Sequence, residues 1–297
     1  MTELAIATDY RGEGKSMESL RDTLKAISKA GFSHIHWCHE WDGEYLYSVY
    51  EMQQIRAWLQ EYRLKVKAVH ATKGSKRNVN RTDEHFRRDY TSDWECCRKA
   101  GVELIQNRVD LAAYLGAGEI VLHLYVPFES IEEGKIRKSD FYSSVKKSFD
   151  ELLPYCMEKG VKICIEDLFD MPERYITELW DWVIESYPAE FMGICFDSGH
   201  ANMIWHEKLP QIAQKYRDRI FSVHLHDNFG EKDSHMIPGN GNINWEELMK
   251  ALSSSAYRLP LVLETGCCKE EEEDYLKQVY QTGVWLTELF EDKNNLK

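Results

Sequence analysis

No Cys-x-x-Cys spacing occurs anywhere in the chain, although it carries eight cysteines in 297 residues. They stand at Cys38, Cys96, Cys97, Cys156, Cys164, Cys195, Cys267 and Cys268, a distribution that suits neither a structural zinc knuckle nor a disulfide framework. Cys164 and Cys195 lie inside apolar runs, where a thiol serves as a small hydrophobe. The set reads as reduced thiols in a cytoplasmic protein. Long apolar runs are also lacking: none approaches the roughly 18 residues of a membrane span. The opening MTELAIATDYRGEGK has neither the basic stretch nor the long apolar core of a signal peptide. Positive charge is scarce, with 37 Lys and Arg against 50 Asp and Glu and a net charge of -13. This balance opposes broad contact with phosphate backbones and leans against a nucleic-acid partner, though a local metal cluster can still hold a phosphate. No low-complexity linker or composition break divides the chain, so a single domain over residues 1–297 is expected.

What is present is a soluble globular composition, 43% hydrophobic and 12% aromatic, enough for a sizeable core. Short apolar runs alternate with stretches of helical spacing. ELAIATDY precedes SMESLRDTLKAISKAG, HIHWCHEW precedes LYSVYEMQQIRAWLQEYRL, KVKAVHA precedes SDWECCRKAGVELIQNRVDLAAYLGAG, and EIVLHLY precedes FYSSVKKSFDELLPYCMEKG. VKICIEDL then precedes YITELWDWVIESY, MGICFDSGH precedes LPQIAQKYRDR, IFSVHLHDN precedes NWEELMKALSSS, and LPLVLETG precedes EEEEDYLKQVYQTGVWLTELF. Eight strands and eight helices in strict alternation predict parallel strands joined by helical crossovers. The expected fold is α/β, a (β/α)8 TIM barrel whose strands are covered on both faces. Aromatic-rich helices such as ELWDWVIESY offer surface for a homo-oligomer.

The apolar runs end on residues that bind metals. Glu166, Asp197, His224 and Glu264 close strands five to eight, while His70 and His123 close strands three and four. In a closed barrel, neighbouring strand ends converge at one mouth. Three carboxylates crowded there without a cation would repel one another and lose hydration, a cost of several kcal/mol that a divalent ion removes. Capping of the following helices is the competing role for each single acid. His200, Asp233 and His235 join His70 and His123 in a wider ring suited to further metal positions or to substrate hydroxyl and phosphate groups. Strand alternation puts His224 and His226 on one face. Asp227 and Asn228 suggest a turn beginning at His226, which favours His224 as the ligand. Downstream, PGNGNINW forms a tight loop with Asn244 as helix cap. Lys73, Lys76, Arg77 and Arg81 make the loop after strand three the most basic in the chain, either a solvated face or a phosphate grip.

These motifs resemble the xylose isomerase-like barrel superfamily, in particular its sugar phosphate isomerase/epimerase proteins and their relative endonuclease IV. The resemblance runs from the first strand to the last helix. It is carried by VHA at His70, GAGEIVLH at His123, IED at Glu166, FDSGHA at Asp197 and His200, HLHD at His224, DSHMIPGNGNINW at Asp233 and His235, and LETG at Glu264. It implies one divalent ion, Mn, Zn, Mg or Co, held by Glu166, Asp197, His224 and Glu264. It further implies proton exchange by Glu166 and Glu264 through an enediolate, and a carbohydrate substrate touched by His200. The endonuclease IV likeness implies an alternative: a multinuclear zinc phosphodiester hydrolase that adds His70, His123, His200, Asp233 and His235 as ligands. The chain departs from that relative in His226-Asp227, where an Asn-Asp pair is usual, and in Ser-Gly after Asp197, where Thr-Cys is typical.

Overall fold

The computed structural model of the chain describes residues 2–12, 16–72, 87–266 and 272–292. Eight strands lie parallel in one sheet: β1 (Leu4–Ala7), β2 (His34–Trp37), β3 (Lys65–Thr72), β4 (Glu119–Leu122), β5 (Lys162–Glu166), β6 (Met192–Asp197), β7 (Ile220–His224) and β8 (Leu261–Leu263). Their order is β7-β6-β5-β4-β3-β2-β1-β8. A parallel bridge between Leu225 and Leu263 then joins the two ends. It is held by Leu225 N donating to Val262 O at 2.9 Å and Glu264 N donating to Leu225 O at 3.1 Å. The fold is the TIM barrel that the alternating pattern predicts. The strands are buried almost throughout because helices cover their outer faces and side chains fill the interior.

The helices are α1 (Met17–Lys29), α2 (Val49–Tyr62), α3 (Glu95–Leu115), α4 (Phe128–Glu132), α5 (Lys138–Lys159), α6 (Glu173–Ser186), α7 (Ser198–Trp205), α8 (Leu209–Lys215), α9 (Trp245–Ser253) and α10 (Glu272–Glu291). Local chemistry sets several of their starts. Ser16 accepts from Ser19 N at 3.0 Å to open α1. Ser48 and Glu51 form a reciprocal capping box at the head of α2. Asn244 accepts from Glu247 N at 3.3 Å, the cap expected for α9. The count departs from the eight helices expected, for two reasons. The five-residue α4 precedes α5 after β4, and the connection after β6 is two helices. In that connection, His206 takes φ 50° and stops α7. Pro210, lacking an N–H, then sits in the first turn of α8, where none is needed.

Among the described residues, Cys38, Cys96, Cys97, Cys156, Cys164 and Cys195 are free thiols. No described helix is long and apolar enough to cross a membrane. Lys73, Lys76, Arg77 and Arg81, together with Cys267 and Cys268, lie outside the described residues.

One glycine links the outer layer to the mouth of the barrel. A Cβ on Gly101, in the middle of α3, would stand 2.1 Å from the backbone nitrogen of Tyr90. The bare backbone lets the 89–90 segment lie against the helix. There Tyr90 donates its hydroxyl to His123 O at 2.7 Å, and Ser148 donates to Tyr90 O at 2.6 Å. An exposed helical Gly→Ala gains up to about 1 kcal/mol of helix propensity. Here overpacking outweighs that gain. Gly101→Ala is expected to lower unfolding stability by roughly 1–3 kcal/mol in urea titration; an unchanged or higher midpoint would contradict the packing argument.

Candidate metal centre

The carboxyl ends of β5, β6, β7 and β8 meet at one nitrogen. His224 Nδ1 lies 2.7 Å from Glu264 Oε2, 3.1 Å from Glu166 Oε1 and 3.8 Å from Asp197 Oδ2. Glu166, Asp197 and His224 are buried, and Glu264 retains 12% of its side-chain exposure. Glu166 and Glu264 touch the same nitrogen, so these two oxygens are no more than two hydrogen-bond lengths apart.

The wider ring packs onto the same centre. Glu166 Oε2 stands 3.0 Å from His123 Nε2 and 3.4 Å from His70 Nε2. His200 Nδ1 is 3.4 Å from Glu166 Oε1, and its Nε2 is 3.5 Å from Asp233 Oδ2. His235 Nε2 reaches Asp233 Oδ2 at 3.1 Å, while its Nδ1 meets Glu264 O at 2.9 Å. All nine residues singled out from the sequence therefore belong to one contact network.

Two further histidines enter it. The turn expected at His226 comes later, because pairing continues past β7 through Leu225 to Leu263 and through Asp227 to Met236. His226 is consequently buried, with Nε2 3.0 Å from Asp197 Oδ1 and its ring stacked on His235 at 4.1 Å between centroids. Gly199 makes the room: a Cβ there would sit 2.0 Å from the His226 ring. His36, on β2, was not singled out from the sequence. Its Nε2 lies 3.0 Å from His224 Nε2. The period-two spacing of His34 and His36 in HIHW was the available signal, since alternate residues share a face.

Local folding explains how these groups are held. Asp197 accepts from His200 N at 2.7 Å and caps α7, so its helix-capping role coexists with its place at the mouth. Asp167 accepts from Asp197 N at 2.9 Å, and Asp167 O pairs with His200 Nδ1 at 2.7 Å. Asp227 is a buried carboxylate that accepts from Gly239 N at 2.8 Å, Ile243 N at 3.3 Å and Trp245 Nε1 at 2.9 Å. It gathers the PGNGNINW loop around itself. The Asp227–Met236 pairing then returns Asp233 and His235 to the mouth.

Electrostatics match the geometry. Burial works to raise the Glu166 carboxyl, but the imidazoles of His224 and His123 outweigh it and hold the group well below the carboxylate range. Glu264 is lowered in the same way, against burial, by His224 and His235. Burial opposes a charge on His224, yet Cys195, Glu264 and Glu166 push its pKa well above the ordinary imidazole value. His70 goes the other way, lowered by burial to about 4. The neighbouring acids therefore favour a proton on His224 and on His200 while no cation is shared among them.

A divalent cation fits the same place. Glu166 Oε2 and Asp233 Oδ1 are buried and accept no well-directed hydrogen bond, leaving lone pairs for an ion. Ligand atoms fall within 4.8 Å of one another in the sets His70–His224–Glu264, His70–His123–Glu166, Asp197–His200–His226 and His226–Asp233–His235. Mixed carboxylate and imidazole donors serve Mn, Zn, Co or Mg.

The sequence model of the Xylose isomerase-like TIM barrel family matches residues 24–288. The chain belongs to this family. A relative, the uncharacterized protein y4fM of Sinorhizobium fredii, is 32% identical over 288 residues, covering 92% of this chain and 90% of its own. Fructoselysine 3-epimerase of Shigella flexneri is 22% identical over 214 residues, covering 69% of this chain and 70% of its own. Among solved structures, D-psicose 3-epimerase in the presence of D-fructose superposes with a TM-score of 0.73 at 14% identity, over 97% of this chain and 99% of that one. A D-tagatose 3-epimerase-like protein gives a TM-score of 0.69 at 20% identity, over 96% and 98%. These superpositions show that the barrel fold is shared over nearly the whole chain.

If the mouth holds an ion, this xylose isomerase-like chain is stabilised by it. Manganese or zinc added to chelator-treated protein is expected to raise the melting temperature, with about 2.7 kcal/mol of stabilisation at a hundredfold excess over Kd. Asp197→Asn keeps a good helix cap but removes a charge and is expected to lose most of the rise. An equal rise in the variant would remove Asp197 from the ligand set.

Proposed function

We propose that the chain is a divalent-metal-dependent isomerase or epimerase acting on a ketose or a phosphorylated form of one. The observation that carries this reading is the meeting of Glu166, Asp197 and Glu264 around His224 Nδ1. Those four residues would hold the ion. Once bound, a divalent cation supplies Lewis acidity toward a carbonyl and its neighbouring hydroxyl, making the carbon between them more acidic. Glu166 and Glu264 do the proton work. One, as a carboxylate, takes a proton from carbon, leaving an enediolate in the substrate, and the other, in its carboxylic acid form, delivers a proton back to it. Their closeness suits this exchange, because both reach a reacting atom held between them. Glu264, partly open to the mouth, meets the substrate from the solvent side, while buried Glu166 meets it from within.

Aromatic rings flank the site. Trp41 lies over His70 with centroids 4.1 Å apart, and Phe169 lies beside His200 at 5.0 Å. Each is partly exposed, and together they offer apolar walls for the C–H faces of a sugar. The names of the relatives agree with a carbohydrate substrate, fructoselysine 3-epimerase and D-psicose 3-epimerase among them.

A second reading draws on the additional ligand sets around His123, His226 and His235: a multinuclear zinc centre that hydrolyses phosphodiesters. Metal content per chain separates the two. One exchangeable ion favours proton transfer, and three tightly held zinc ions favour hydrolysis.

Glu166→Gln and Glu264→Gln are each expected to abolish ketose turnover and the wash-in of solvent deuterium at the reacting carbon, with the circular dichroism spectrum unchanged. Near-normal turnover in both variants would sink the two-glutamate mechanism.

A further inference from the structure

The His36–His224 contact bears on whether His224 Nδ1, the nitrogen that faces the carboxylates, carries a proton or a lone pair. His36 is fully buried, and the pairing of β2 with β3 shifts register between Ile35 and His36. Such irregularities re-aim the side chain that follows. Its own carbonyl is tied down by Thr8 N at 3.0 Å. The ring then sits beneath the mouth, with Nε2 3.0 Å from His224 Nε2, ring centroids 4.6 Å apart, and the His70 ring 5.7 Å away.

Two imidazole nitrogens at that separation share one proton: one ring donates and the other accepts. His36 Nδ1 has no hydrogen-bond partner, so a proton placed there is unpaired, a cost that the bond from His224 Nε2–H has to offset. His36 forms no ion pair among the described residues, and an unpaired cation in so buried a place is costly. A neutral His36 with a lone pair on Nε2 accepts from His224 Nε2–H. In the neutral form of His224, the one that can ligate an ion, that leaves Nδ1 unprotonated, directed at Glu166, Asp197 and Glu264. In the opposite arrangement His224 carries its proton on Nδ1, where an ion would have to bind.

We propose that His36 is a positioning residue: a neutral acceptor that locks His224 in the Nε2–H tautomer and presents its Nδ1 lone pair to a divalent cation. Metal-binding histidines commonly give their second nitrogen to a carboxylate or a carbonyl. In this chain an imidazole from the opposite side of the barrel takes that role. The assignment rests on His224 being a metal ligand.

The test uses the full chain labelled with 15N-histidine and loaded with zinc, read by long-range 1H–15N correlation. Expected are a His224 ring protonated on Nε2 with Nδ1 bound to the ion, and a His36 ring protonated on Nδ1. A proton on His36 Nε2 in zinc-loaded protein overturns the assignment while leaving the metal reading intact. A chain that takes up no zinc overturns both. Two variants add an affinity readout by chelator competition. His36→Leu removes the acceptor and is expected to weaken zinc by about 10- to 100-fold, with most of the loss recovered in His36→Gln, whose amide oxygen reaches the Nε2 position. If both variants bind zinc as the wild type does, His36 does not position the ligand. Should His36→Leu fail to fold, the wild-type tautomers decide alone.

Discussion

Three carboxylates drawn onto one imidazole nitrogen form the interaction on which the mouth of this barrel depends. Glu166 and Asp197 are buried, and Glu264 is nearly so, which makes their mutual repulsion expensive unless a positive charge is shared among them. His224 supplies that charge when protonated, and a divalent cation supplies more of it when bound. Closure of the barrel makes the meeting obligatory. Without the Leu225–Leu263 bridge, Glu264 and His224 would stand at opposite edges of an open sheet.

The surrounding structure reads as support for that centre. Asp197 spends one oxygen on the backbone of α7, which fixes the carboxylate and brings His200 over it. Asp167 ties the ends of β5 and β6 together through Asp197 N and His200 Nδ1. Asp227 acts at longer range, folding the loop after β7 so that Asp233 and His235 return toward His226. Gly199 and Gly241 are required by the same crowding: a Cβ would strike the His226 ring in the first case and Asp227 Oδ1, at 2.2 Å, in the second. Short polar residues and bare backbone therefore concentrate where the density of ligand-type groups is highest.

Much of this was legible beforehand. Apolar runs ending on Glu166, Asp197, His224 and Glu264 announce both the barrel and its mouth, because a parallel strand buried on both faces changes character only at its end. Helix starts at Ser16, Ser48 and Asn244 follow from caps that act within a few residues. Two features escaped. His36 sits in a strand whose sequence, HIHWCHEW, is crowded with polar and aromatic residues, so its inward direction has no contrast to stand against. His226 is followed by Asp227 and Asn228, residues typical of turns, yet Asp227 spends its side chain on the downstream loop and lets the chain stay extended.

By itself the sequence determined the alternation of strands and helices, the parallel barrel and the six ligand-type groups that end the runs of strands three to eight, since each depends on periodicity or on position at the end of an apolar run. Only the tertiary structure decided which of those groups touch. The distances from His224 Nδ1 to three carboxylates, the stacking of His226 on His235 and the pairing of His36 with His224 link residues as far as 188 positions apart. Contacts of that kind arise from barrel closure, strand register and loop return, which no local pattern encodes.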